Sequence, residues 1–262
     1  MGIISRFPAG ATEPYIEEIY NSDGQLIDAK MYGYKTIRDS AFSGCPSLAL
    51  TSLPSGITNI GNSAFDGCTN LALTSLPSGI TNIGNYAFYN CTSLALTALP
   101  SGITSIGISA FLGCSSLALT TLPSGITNID EGTFSGCSSL ALTALPSGIT
   151  SIGQSAFSGC SSLALTTLPS ALTSIGYGAF DGCSSLALTT LPSGITYIDY
   201  GAFVDCTSLV SLTFEGTPER IDSTTFIGCN NLTTINVPWA EGAVANAPWG
   251  APNATINYGH IS

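Results

Sequence analysis

Cys45, Cys68, Cys91, Cys114, Cys137, Cys160, Cys183, Cys206 and Cys229 are the nine cysteines of this 262-residue chain, and they recur every 23 residues. Thiols at fixed spacing suggest disulfides, a metal site or an activated nucleophile. Stacked on successive coils their Cα atoms would lie about 4.8 Å apart, within disulfide reach. Their Cβ vectors would be parallel, however, leaving the Cβ atoms nearly as far apart instead of the ~3.8 Å a disulfide prefers. Nine is also an odd count. A metal site or a base for a nucleophile would call on histidine, and the one histidine, His260, lies near the C-terminus, where a loose end is expected. Cysteine here is read as a small buried hydrophobe filling one slot.

Other chemistry is equally thin. There is no CxxC, GxGxxG or phosphate-binding loop, and the acidic residues are too scattered for a glycosidase carboxylate pair. No catalytic residue, metal ligand or cofactor is assigned, and the chain is expected not to be an enzyme. Threonines form two ladders, one from Thr51 through Thr74 to Thr189 and one from Thr58 through Thr81 to Thr196. A flat threonine array can order ice-like water; threonine also simply suits a solvent-facing strand.

The tyrosines offer recognition chemistry. Tyr177 and Tyr200 hold the same place in adjacent units, which would bring their rings about 4.8 Å apart along a stacked array. Tyr197 is placed to extend that surface, and Tyr86 with Tyr89 forms a second candidate. Exposed aromatics supply rigid contact area with a polar handle. The slot that holds Tyr177 and Tyr200 varies from coil to coil, through Asp39, Asn62, Asn85, Ile108, Glu131, Gln154 and Ser223. On a monotonous surface that is where specificity can be written; drift at unconstrained solvent positions explains the same variation.

These residues need a scaffold, and the period defines it. A phenylalanine precedes each cysteine by three positions, from Phe42 to Phe226. A fixed period of this size signals a solenoid. In the unit Leu50–Ala72, LTSLPSGITNIGNSAFDGCTNLA, the apolar positions are Leu53, Ile57, Ile60, Phe65, Cys68 and Leu71. Their spacing follows neither 2 nor 3.6, so the unit is a coil with several corners, not a long strand or helix. LALTSLP reads as its main strand, ITNIG as a second short one, and SAFDGC as a helical turn. One unit buries too little to fold alone; stacking lets each coil bury both faces.

Charge excludes two partner classes. The net charge is −11, and no lysine or arginine occurs between Arg38 and Arg220. Nucleic acid and anionic membrane surfaces both need basic residues. No apolar run approaches the ~18 residues of a membrane span, so no membrane insertion is expected. The opening MGIISRFPAG lacks a signal-peptide core, which predicts either that the protein is not exported by that route or that the sequence is a piece of a longer protein.

The unit L-x-x-x-x-L-P-x-x-I-T-x-I-G-x-x-A-F-x-x-C-x-x-L resembles the BspA-like leucine-rich repeat, found mainly in bacterial surface proteins. The resemblance implies a leucine-rich-repeat solenoid of about nine 23-residue coils, with short parallel strands and helical turns, capped at both ends. The expected organisation is a flexible or attachment segment at 1–13, a β-hairpin cap at 14–36, the array at 37–238 and a C-terminal cap at 239–262. Asn21-Ser22-Asp23-Gly24 marks the hairpin turn; Trp239, Trp249 and a last strand in NATINY mark the closing cap. One departure stands out. Family coils read L-x-x-I-x-I-P, as in Leu232 to Pro238, whereas central coils such as Leu71 to Pro77 place the middle apolar residue one position early. A one-residue shift sends a strand side chain to the other face, so a bulge or a rearranged surface is expected there.

The function implied is non-enzymatic recognition or adhesion, with a protein or glycan ligand on a cell surface and a place outside the cell. ISRFPAG and PWGAPNATINY are also similar to segments of prophage tail-associated proteins. That resemblance implies the alternative of a virion structural or receptor-binding component, which the missing signal peptide favours.

Overall fold

The computed structural model describes residues 2–5, as backbone, and 14–260. Apart from one strand, the segment expected at 1–13 lies outside the described residues. In chain order the strands are β1 (Gly2–Ser5), β2 (Tyr15–Tyr20), β3 (Leu26–Tyr32), β4 (Thr36–Ile37), β5 (Asn59–Ile60), β6 (Asn82–Ile83), β7 (Ser105–Ile106) and β8 (Asn128–Ile129). They continue as β9 (Ser151–Ile152), β10 (Ser174–Ile175), β11 (Thr190–Leu191), β12 (Tyr197–Ile198), β13 (Ser211–Phe214), β14 (Arg220–Ile221), β15 (Thr234–Asn236) and β16 (Thr255–Asn257).

The coils stack in register as a solenoid. Ile60, Ile83 and Ile106 succeed one another in a parallel ladder, and Phe42 to Phe226 form a continuous stack with centroids 5.3–5.7 Å apart. Leu53, Ile57, Ile60, Phe65, Cys68 and Leu71 are all buried, as the pattern predicts; Ala64 and Leu73 join them.

Two expectations about local structure fail. No helix occurs among the described residues. In SAFDGC, alternate amides bond outward to the next coil: Ser63, Phe65 and Gly67 donate to Asn85, Ala87 and Tyr89. Ser63 and Gly67 have φ of 51° and 73°. A helix needs every amide for its own turns and keeps φ negative, so this corner is a stacked turn instead.

LALTSLP is the second. In the coils up to Pro169 it forms no strand, and ITNIG supplies the two-residue strands β5 to β10. In the copy at Leu186–Pro192 it adds only the two residues of β11, which pair with β13. Spacing explains it. Leu71, Leu73 and Leu76 are all buried, a step of two followed by a step of three, which breaks strand alternation. Leu209-x-x-Leu212-x-Phe214 and Leu232-x-x-Ile235-x-Val237 end on a step of two, and there β13 and β15 form.

The ends are closed differently. β2 and β3 make an antiparallel hairpin around the turn at Asn21–Gly24, with β1 on the outer edge of β2. It meets the first coil through Ala49 N–H and Ile27 O at 2.9 Å. At the far end Trp249 is fully buried and Trp239 nearly so, while β16 extends the β15 ladder after 21 residues instead of 23. His260 is held where a loose residue was expected: its N–H donates to Val237 O.

The ladder has one gap. The glycine that follows the strand isoleucine in most coils lets successive backbones touch; a Cβ on Gly84 would lie 2.7 Å from Asn62 N. Its amide donates to Ile60 O at 2.8 Å. Aspartate fills this slot at Asp199, Asp222 and Asp130. The bond lengthens to 3.0 Å at Asp199 and 3.2 Å at Asp222. Among the described residues none joins Asp130 to Ile106, and β7 and β8 fall in separate sheets. The phenylalanine spacing is also widest beside it, 5.7 Å from Phe111 to Phe134. The corner stays bonded through Phe111 N–H and Thr133 O, so the solenoid opens on one face only.

Candidate recognition surface

The variable position after each I-G pair divides into two structural regimes. In the first coils it is a capping ladder: Asp39 Oδ1 accepts Asn62 N–H, Asn62 Oδ1 accepts Asn85 N–H, and Asn85 Oδ1 accepts Ile108 N–H, at 2.7, 2.9 and 2.9 Å. It ends at Ile108, whose side chain accepts nothing. Sequence reasoning treated this slot only as variable; the signal it missed was three Asx residues in a row at one register.

Later coils carry tyrosine there. Tyr177 and Tyr200 stack with centroids 5.6 Å apart and planes inclined by 14°, and they are 47% and 51% exposed. Stacked face to face, the pair presents ring edges and hydroxyls sideways. Tyr197 does not join this stack. Its hydroxyl donates to Asp199 Oδ1 at 3.0 Å, and the Arg220 guanidinium lies 5.4 Å over its ring. The hydrogen bond to Asp199, above all, raises the Tyr197 phenol above its ordinary range. Asp222 is held low, first by the Thr224 hydroxyl at 2.7 Å. Tyr86 and Tyr89 meet edge to face at 6.0 Å, well separated along the array from the later pair.

The remaining candidates are quieter. Thr58 Oγ1 donates to Lys35 O, Thr81 to Thr58 O, and Thr173 to Thr150 O, so these hydroxyl hydrogens serve the coil-to-coil backbone. The cysteines are free thiols, eight buried and Cys45 half-buried. No group of three or more metal-ligating side chains converges among the described residues. Two recesses, of 430 and 300 Å³, lie where the hairpin meets the first coil, lined by Lys30, Tyr32 and Leu53 in one and by Ile16, Tyr34 and Phe42 in the other.

The 23-residue coil, its phenylalanine–cysteine ladder and its closing L-x-x-I-x-V strand are those of a known repeat. The BspA type leucine rich repeat region, in 6 copies, matches residues 35–164 and 127–241. The chain belongs to the BspA-type leucine-rich repeat family. Solved structures agree. A leucine rich repeat protein of Treponema pallidum is 32% identical, with a TM-score of 0.52, over 82% of this chain and 86% of that one. A leucine rich cell surface protein of Faecalibacterium prausnitzii is 24% identical, with a TM-score of 0.53, over 89% of this chain and 70% of that one. No curated protein matches the sequence. In this BspA-type chain the repeat explains the core slots, while the tyrosine pair is particular to two of its coils.

Proposed function

We propose that this BspA-type solenoid is a recognition or adhesion protein. It acts outside the cell or at its surface, without catalysis, on a protein or glycan ligand. The observation that carries the reading is the exposed Tyr177–Tyr200 stack on an array whose neighbouring polar side chains are mostly small. Large aromatic side chains held rigidly at a surface are the usual anchors of recognition. The Faecalibacterium structure, a cell surface protein, supports the location.

The test uses beads coated with the full chain, offered to cultured cells and to immobilised matrix proteins and cell-surface glycans. Changing Tyr177, Tyr197 and Tyr200 together to Ser is expected to abolish attachment with the melting temperature nearly unchanged. Attachment that survives the triple change overturns this choice of surface.

A further inference from the structure

The pairing of β12 with β14 treats two tyrosines differently. Tyr197 lies opposite Arg220, which covers its ring and reaches Asp222 Oδ2 at 3.6 Å. Continued by three residues, the same register sets Ser223 beside Tyr200. One face of Tyr200 is taken by Tyr177; the other turns toward Ser223, an exposed residue too short to cover it. The closing turn approaches from beyond: a Cβ on Gly250 would lie 3.0 Å from Ser223 O. The result is a notch one coil wide, with an aromatic wall and a serine floor.

Its rim is acidic. Asp199 Oδ1 accepts Tyr200 N–H at 2.7 Å, and Asp222 immediately precedes Ser223. On the adjoining corner, burial and then the charge of Asp205 hold the Asp181 carboxyl above its ordinary range. The chain carries a net charge of −11 and has no basic residue between Arg38 and Arg220.

We infer that this notch receives an arginine side chain of a basic protein partner, stacked on the free face of Tyr200 and paired with the carboxylates of Asp199 and Asp222. A guanidinium is planar, stacks on aromatic faces and presents several donors to carboxylates at once. The molecule already makes this arrangement internally, with Arg220 on Tyr197 beside Asp222. At Tyr200 the ring and Asp199 stand beside an Asp222 that Arg220 already reaches, and a cation over this ring must come from outside. Opposite charge also steers such a partner toward the array. The inference rests on the recognition reading above and names its partner.

The probes are fluorescein-labelled hexa-arginine and hexa-lysine peptides, titrated into the full chain at about physiological salt. Wild type is expected to prefer arginine. Ser223→Tyr fills the notch and Tyr200→Ser removes its wall, neither changing charge. Each is expected to weaken arginine binding roughly 3- to 30-fold. Ile108→Tyr, at the same slot far along the array, should change nothing, and melting temperatures confirm folding. Equal affinity for lysine, or unchanged binding by the two notch variants, overturns the inference. So does a neutral oligosaccharide whose binding Ser223→Tyr blocks while arginine binding persists. Adhesion that survives in Ser223→Tyr rejects the notch and leaves the recognition reading standing. Notch-dependent arginine binding by a wild type that adheres to nothing does the reverse.

Discussion

Cys137 Sγ donates to the carbonyl oxygen of Phe111 at 3.1 Å, and the ring of Phe111 stacks on that of Phe134 in the cysteine's own coil. The same contact recurs from Cys68 to Cys229, always to the phenylalanine 26 residues earlier. Cysteine fits this slot because it is small, tolerates burial and has one weak donor to offer a carbonyl that the turn leaves pointing inward.

This ladder makes stability fall in alkali. Burial pushes the Cys68, Cys114, Cys183 and Cys229 thiols up to about 12, and Cys137, Cys160 and Cys206 well above the ordinary 9.0. Above pH 9 the unfolded chain releases protons that the folded chain retains, so unfolding gains ground as pH rises. Each such thiol steepens the loss by about 1.4 kcal/mol per pH unit. The urea midpoint is expected to drop sharply between about pH 8 and pH 10.5, and Cys137→Ala to make that drop shallower. A midpoint flat across this range would sink the account.

Reagent access gives an independent measurement. With eight thiols buried and unbridged, brief alkylation of native protein should modify Cys45 at most, and all nine should react in denaturant without reductant. Intact mass reads the count. Labels missing after denaturation, restored by reductant, would mean disulfides.

The architecture was legible because the stacking slots repeat: leucine, isoleucine, phenylalanine and cysteine positions read directly as core. Local structure was less so. SAFDGC looks like a helical turn until its alternate amides are seen to serve the next coil, as Ser63 serves Asn85. A sequence read unit by unit hides such partners, since each lies a full coil away. The change in leucine spacing between Leu71–Leu76 and Leu232–Val237 was visible, and it marks where the longer strands β13 and β15 form. β11 keeps the central spacing, Leu186, Leu188 and Leu191, and pairs because β13 lies beside it. Of the tyrosines, equal register brought Tyr177 and Tyr200 together. Tyr197 lies on β12, bonded to Asp199 and covered by Arg220, a neighbour that only the register of β14 reveals.

Deleting one coil in register, Leu96 to Ala118, should leave a folded protein with modestly reduced stability, because each coil touches only its neighbours. Deleting 14–36 should cause aggregation by uncovering Ile37, Phe42 and the free edge of β4. Size-exclusion profiles and thermal melts of the two deletions decide this; equal tolerance of both would deny the hairpin its role as a cap.

The gap between β7 and β8 yields the last prediction. Glycine at the slot after the strand isoleucine permits a 2.8–2.9 Å amide bond to the preceding coil, as at Gly84 and Gly107, and Asp130 makes none among the described residues. Removing the Asp130 Cβ should let the strands close and the sheet run unbroken from β4 to β14. Asp130→Gly is therefore expected to stabilise by up to about 0.5 kcal/mol, one hydrogen bond at about 1 kcal/mol less the glycine's entropic cost of at least about 0.5. The reverse change, Gly84→Asp, should destabilise by more, since its Cβ meets Asn62 and Gly61 backbone at 2.7 Å. Hydrogen exchange at Thr127 and Asp130, whose amides lack the bond to the preceding coil among the described residues, supplies the local reading: fast in wild type, slowed in Asp130→Gly. A variant whose melting temperature and exchange both match wild type would mean that the missing glycine is not what opens this face.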